Sequence, residues 1–169
     1  TVLELIRITD NIEGDCVITS EQNQIFITTP EVQLISRVID AQYPDYKRVI
    51  PNNSLASVII KKQDLEKNIR MASIFSSSIA DLLIKVVKNI ITITAHNTDR
   101  GEIVSHVPCV TQGNPFELSV NYHYILDGLK AITTEMVNIH FTGQGSPLVI
   151  KPEGKNDYTY LIMPLRGTT

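Results

Sequence analysis

Four histidines, His96, His106, His123 and His140, are the residues of this 169-residue chain best suited to proton transfer or metal binding near neutral pH. None shares a ligand spacing with another histidine or a cysteine. His123 has Asp127 four residues on, which on a helix makes a solvated surface pair rather than a catalytic dyad. Asp40 and Asp45 flank Tyr43 in a turn-like stretch where nothing pushes their protonation apart, so a two-carboxylate acid/base site is not expected. No HExxH, GxSxG, Walker A or GxGxxG pattern occurs, and the Gly-Gln-Gly-Ser of 143–146 joins two strand-like runs, which reads as a hairpin turn. Cys16 and Cys109 stand far apart and give neither a zinc site nor a disulfide framework. No catalytic residue, metal or cofactor is therefore expected.

The basic residues carry more information. Lys61, Lys62, Lys67 and Arg70 outnumber Asp64 and Glu66 around one helix, and Lys130 lies on another, in a chain whose net charge is −3. Such local fields can hold a polyanion without general stickiness, while the residues alone are equally met by an ordinary solvated helix face. With no aromatic residues interleaved among them, base stacking on single strands is disfavoured. The composition, 43% hydrophobic and 20% charged, is that of a folded globular domain. Its longest apolar runs fall far short of the ~18 residues of a membrane span. With two isolated cysteines, a cytosolic home is the expectation. Thr1 in place of Met, with no signal sequence after it, predicts a chain that starts inside a longer protein.

Hydrophobic periodicity supplies the elements that must position these residues. Residues 2–9 are apolar on both sides and fit a helix or a strand. Alternating β-branched runs at 16–20, 24–28 and 32–39, broken by Gly14, Gln22-Asn23 and Thr29-Pro30, predict a three-stranded meander. A proline-bounded stretch to residue 53 reads as a linker. Beyond it come a strand at 55–61, a helix at 62–76 with Leu65, Ile69 and Ala72 on one stripe, and strands at 81–88, 90–96, 102–111 and 116–120. A second helix at 121–132, capped by Asn121 or Ser119, turns Ile125, Leu126 and Leu129 inward; strands at 136–142, 147–151 and 158–163 close the chain. Residues 1–51 and 121–166 share the order helix, strand, strand, strand, which makes the first unit the back half of a repeated domain. The class is α+β, mostly antiparallel, with helices on one face of the sheets.

Two segments exceed what a linker and a last strand require: YPDYKRVIP at 43–51 and YLIMPLR at 160–166. Together with NYHYILDGLKA at 121–131 and SPLVI at 146–150, in this order, they resemble the β subunit of bacterial DNA polymerase III, the replicative sliding clamp. The resemblance covers essentially the whole chain. It implies the sliding-clamp fold, with antiparallel sheets outside and helices on the inner face. Residues 1–51 would be the C-terminal half of clamp domain two with the interdomain linker, and 52–169 a complete domain three.

The resemblance further implies a cytoplasmic, non-catalytic processivity factor without cofactor or metal, whose ring encircles duplex DNA sequence-independently and topologically. Lys62, Lys67, Arg70 and Lys130 would face the DNA. Polymerase and clamp-loader subunits would dock through short linear peptides in a pocket at the domain junction. Pro44, Arg48 and Val49 would come to it from the first motif, and Asn121, Tyr124, Gly145 and Pro147 from the middle of the chain. Leu161, Met163, Pro164, Leu165 and Arg166 would complete it, with Ile162 as plain core. Ile74 and Phe75 would meet the other subunit of a head-to-tail homodimer, while the fragment alone would be monomeric.

The chain departs from the family in three places. A Thr-Asp-Gly-His wall of the pocket lies upstream of Thr1, residues 76–80 read Ser-Ser-Ser-Ile-Ala, and a short tail follows Arg166. The competing reading is a stand-alone peptide-binding interaction module with no role on DNA.

Overall fold

The computed structural model describes residues 2–10, 12–51 and 53–165. The chain forms two compact units that divide between Asp45 and Tyr46, inside the 43–51 motif. The first unit begins with a helix, α1 (Val2–Thr9), which settles the open choice at 2–9. Strands β1 (Val17–Glu21), β2 (Gln24–Thr28) and β3 (Gln33–Arg37) follow as the expected antiparallel meander. Gln22-Asn23 is a two-residue hairpin turn closed by the Glu21–Gln24 pair. The next turn is held by Thr29, whose hydroxyl accepts from the Val32 N–H at 3.0 Å. Among the described residues of this unit only Ile27 is buried, and the apolar Val2, Leu3, Ile18 and Ile35 are exposed.

After a short 3-10 turn (Tyr46–Arg48), the second unit builds two antiparallel sheets and two helices. The elements are β4 (Ala56–Lys61), α2 (Lys62–Ser73), β5 (Asp81–Val87), β6 (Ile90–Asn97), β7 (Gly101–Pro108) and β8 (Val110–Gly113). They continue with β9 (Phe116–Asn121), α3 (Tyr122–Lys130), β10 (Met136–Phe141), β11 (Leu148–Pro152) and β12 (Tyr160–Ile162). One sheet runs β12-β11-β10-β4-β8 and the other β7-β6-β5-β9. Alternation decides the packing. In β4 and β10, Val58, Ile60, Val137 and Ile139 turn inward, and in β5 and β6 Leu82, Ile84, Ile91 and Ile93 do the same. The expected helical stripes, Leu65, Ile69 and Ala72 of α2 and Ile125, Leu126 and Leu129 of α3, complete one continuous core. The rings of Phe116 and Phe141 stack at 4.5 Å between centroids and tie the two sheets together. The helix-then-three-strands order of α1-β1-β2-β3 recurs in α3-β10-β11-β12.

Two sequence expectations are corrected. The run 102–111 is not one strand: Pro108 cannot donate to a ladder, and beyond it the chain changes sheet. The new direction is fixed by Asn89, whose carbonyl accepts from Cys109 N at 2.9 Å and whose side-chain oxygen accepts from Thr111 N at 2.8 Å. Asn89 itself holds a positive φ of 63° in the β5–β6 turn, a conformation asparagine tolerates. Helix α2 stops at Ser73 rather than 76: Phe75 N and Ser76 N bond only three residues back, to Ala72 O at 3.0 Å and Ser73 O at 3.2 Å, and the tip of the β6–β7 hairpin takes carbonyls just past the helix, Arg100 Nη1 donating to Ile74 O at 3.2 Å and Asn97 Nδ2 to Ser76 O at 3.0 Å.

Candidate functional site

Strand β9 is an edge strand, so the carbonyls it does not give to β5 face outward. Two of them are engaged from outside the sheet. Ser119 O accepts from Leu165 N at 2.8 Å, which lays the chain after β12 along the strand. Glu117 O accepts from Gln144 Nε2 at 3.2 Å, which brings the β10–β11 turn over the same edge. That turn is set by Gly145 at φ 71°, by Ser146 N donating to Gly143 O at 3.2 Å, and by Thr142 Oγ1 donating to Pro147 O at 2.7 Å. Between these two arms lies an open groove of about 590 Å³, walled by Leu83 of β5, by Glu117 and Ser119, by Gln144 and Gly145, and by Met163, Pro164 and Leu165. Met163 is 57% exposed, a polarizable apolar side chain offered to solvent. Glu117 pairs with Lys85 across the strands at 3.3 Å, so the rim carries a balanced charge.

Two residues past Ser119, Asn121 opens α3. Its Oδ1 accepts from His123 N at 2.9 Å, the N-cap bond expected from the sequence, and its Nδ2 donates to Ile79 O at 3.1 Å. Tyr124, one turn on, is 52% exposed. Where β12 passes α3 the helix has Gly128, because the Tyr160 ring lies where a Cβ would be, and Tyr158 Oη donates to Gly128 O at 3.1 Å.

Of the residues the sequence proposed for a peptide pocket, Gly145, Met163, Pro164 and Leu165 line this one groove. Asn121 and Tyr124 sit at the start of α3, and Asn121 is held by both ends of its amide. Pro147 is half-buried in the turn, and Leu161 is half-buried opposite Val149 in the other sheet, with Ile162 in the core as expected. Arg48 and Val49 are exposed around the 3-10 turn, and Pro44 is exposed in the first unit. Arg166 lies outside the described residues. Sequence reasoning missed Leu83, Glu117, Ser119 and Gln144. An apolar residue at an outward phase of 81–87 was a usable signal for Leu83; a glutamine in a turn carries none.

The basic set separates by environment. Lys67 and Arg70 are exposed on α2. Lys130 pairs with Asp127 at 2.7 Å on the surface. Lys62 is half-buried, and its Nζ donates to Ile132 O at 2.5 Å, placing a cation at the C-terminal end of α3 where the helix dipole favours one. Of the subunit-contact candidates, Ile74 is 60% exposed and Phe75 packs against the core.

The histidines form no site. His96, His106 and His123 are exposed, and His106 Nδ1 lies 3.1 Å from Thr92 Oγ1. His140 is half-buried, and burial, with Lys151 beside it, holds its pKa below the usual value; Glu153 opposes the shift. Asp127 is held below the usual carboxylate range by its bond to Lys130, with His123 a lesser contributor, so the His123/Asp127 pair is a surface cluster. Burial pushes the Cys109 thiol up. Among the described residues no group of three metal-ligating side chains occurs, and no helix is long and apolar enough to cross a membrane.

This geometry is shared with known proteins. Residues 47–166 match the family model described as DNA polymerase III beta subunit, C-terminal domain. The beta sliding clamp of Pseudomonas putida is 28% identical over 166 residues, covering 98% of this chain and 45% of the relative. That of Staphylococcus aureus is also 28% identical, covering 96% and 44%. A crystal structure of the Pseudomonas aeruginosa DNA polymerase III subunit beta superposes with a TM-score of 0.89 at 28% identity, over 98% of this chain and 46% of that one. The C. crescentus beta sliding clamp gives 0.91 at 25% identity, over 99% and 45%. The chain thus spans less than half the length of the clamps it matches. With residues 47–166 matching that family model, the chain belongs to the DNA polymerase III beta subunit family, whose C-terminal domain it carries.

Proposed function

We propose that this chain works as part of a bacterial sliding clamp, a non-catalytic subunit that tethers polymerase and clamp-loader proteins to duplex DNA. The observation that carries the reading is the groove on the β9 edge, built from the Met163-Pro164-Leu165 segment that first marked the family. An open groove that sets the apolar Leu83, Met163, Pro164 and Leu165 beside the polar Glu117, Ser119 and Gln144 suits a short extended peptide with apolar anchors. The P. aeruginosa sliding clamp has been solved bound to griselimycin.

The DNA side needs only a loose electrostatic surface, since topology and not contact energy holds a ring on its track. Lys67 and Arg70 on α2, with Lys130 on α3, provide it, and Lys62 contributes through the position of α3. Exposed Ile74, at the end of α2, is the apolar contact for a neighbouring subunit. Residues 1–51 are read as the back half of the second clamp domain with its linker, and 52–169 as the third domain. Ring closure head to tail would draw on the rest of the length that the relatives have, so these 169 residues expressed alone should be monomeric in light scattering.

The peptide reading is tested by fluorescence anisotropy with a labelled peptide carrying a glutamine followed by spaced leucine and phenylalanine. Leu83→Glu, which puts a charge on the groove wall without touching the core, should abolish binding. A Leu83→Glu protein that binds as well as wild type would overturn the assignment of the groove.

A further inference from the structure

The β10–β11 turn does more than border the groove. Gln144 is exposed, yet its side-chain N–H reaches the Glu117 carbonyl on the open edge of β9. In an antiparallel or parallel ladder that carbonyl would receive a main-chain N–H from an adjoining strand. Two residues along, the equivalent Ser119 carbonyl does receive one, from Leu165. The edge thus carries two like acceptors, one satisfied by main chain and the other by a side chain acting in its place. The contrast in length, 2.8 Å against 3.2 Å, makes the Gln144 bond the looser of the two.

We infer that Gln144 is a latch on the groove: its carboxamide stands in for the main-chain N–H of an extended ligand and gives up the Glu117 carbonyl when that ligand adds along β9. The inference rests on the peptide reading above and assigns that ligand its binding mode, strand addition to β9, and its point of control. Side-chain amide and peptide amide are chemically equivalent donors, so the Glu117 carbonyl is paired both before the ligand adds and after it. The latch carries a swinging arm rather than a wall. Gly143 and Gly145, both at positive φ, flank Gln144, and no heavy atom lies within 4 Å of where a Cβ at Gly145 would stand, so the arm has room to swing clear. The occupant the edge fits is a segment of extended peptide with a free N–H facing Glu117 and an apolar side chain between Leu83 and Met163.

A ligand that must first open a latch binds with its intrinsic affinity reduced by the open fraction. Gln144→Ala and Gln144→Met, the second keeping the side-chain length without the donor, should therefore both bind the glutamine/leucine/phenylalanine peptide about twofold to tenfold more tightly than wild type. In the wild-type 169-residue chain, labelled with ¹⁵N, the Gln144 side-chain amide signals should move during the titration together with the backbone amides of Ser119, Met163 and Leu165. Two results overturn the latch and leave the peptide reading standing: variants that bind no more tightly than wild type, or groove backbone shifts with the Gln144 side-chain signals unmoved. Absence of any shift at Ser119, Met163 and Leu165 in wild type overturns both.

Discussion

Replacing Asn121 by alanine should remove two hydrogen bonds at one corner of the fold. The Oδ1 bond to His123 N caps α3, and loss of such a cap costs about 0.5–2 kcal/mol. The Nδ2 bond to Ile79 O ties the loop before β5 to the start of the helix; that carbonyl belongs to an exposed residue and can turn to water, so its loss costs about 0.5–1.5 kcal/mol. The expected total is about 1–3.5 kcal/mol, and each kcal/mol moves the melting midpoint of a unit of this size by roughly 3–5 °C. Asn121→Asp separates the two contributions. It keeps the capping acceptor, adds a negative charge at a helix N-terminus where the dipole favours it, and loses only the donor, so it should cost about 1 kcal/mol or less. Thermal and urea unfolding followed by circular dichroism, without peptide, measures both variants. An alanine variant within about 0.5 kcal/mol of wild type, or an aspartate variant as unstable as the alanine one, would refute the capping argument.

Gly128→Ala would set a Cβ 2.5 Å from Tyr160 Cδ1, and the overpacking should outweigh the helix-propensity gain, for a net loss of about 1 kcal/mol in urea unfolding. Lys62→Met should lose about 1 kcal/mol by the same measurement, because its ammonium is bonded to Ile132 O, whereas Lys67→Met and Arg70→Met should stay within about 0.5 kcal/mol. Because burial depresses the folded-state pKa of His140, the unfolded chain takes up its proton first as pH falls. That stability is fully present above about pH 6.5 and is lost as pH drops through the lower folded value; His140→Gln should flatten this part of a stability-versus-pH curve.

Much of this structure could be read locally. The stripes of α2 and α3, the cap at Asn121, the hairpin at 143–146 and the inward Ile162 each follow from periodicity or turn chemistry within a few residues. What could not be read depends on partners distant in sequence. The break between β7 and β8 is enforced by Asn89, 22 residues from Thr111, and Gln144 is brought to the groove by a bond to Glu117, 27 residues away. Lys62 looked like its neighbours on α2 until its ammonium proved to reach Ile132, 70 residues on. The motif segments marked the site because one of them, ending at 166, is laid against β9 by a main-chain bond at Leu165. The rest of the groove wall, Leu83 and Glu117, belongs to strands whose alternation gives their phase but not their neighbours.

Binding in the β9 groove is tested most directly by a ¹⁵N-edited NMR titration of the chain with the glutamine/leucine/phenylalanine peptide. Saturable shifts are expected at Leu83, Ser119, Gly145, Met163 and Leu165, with the amides of β7 and of the exposed face of α2 unchanged. Shifts confined to α2 or β7, or none at all on a folded sample, would contradict binding there.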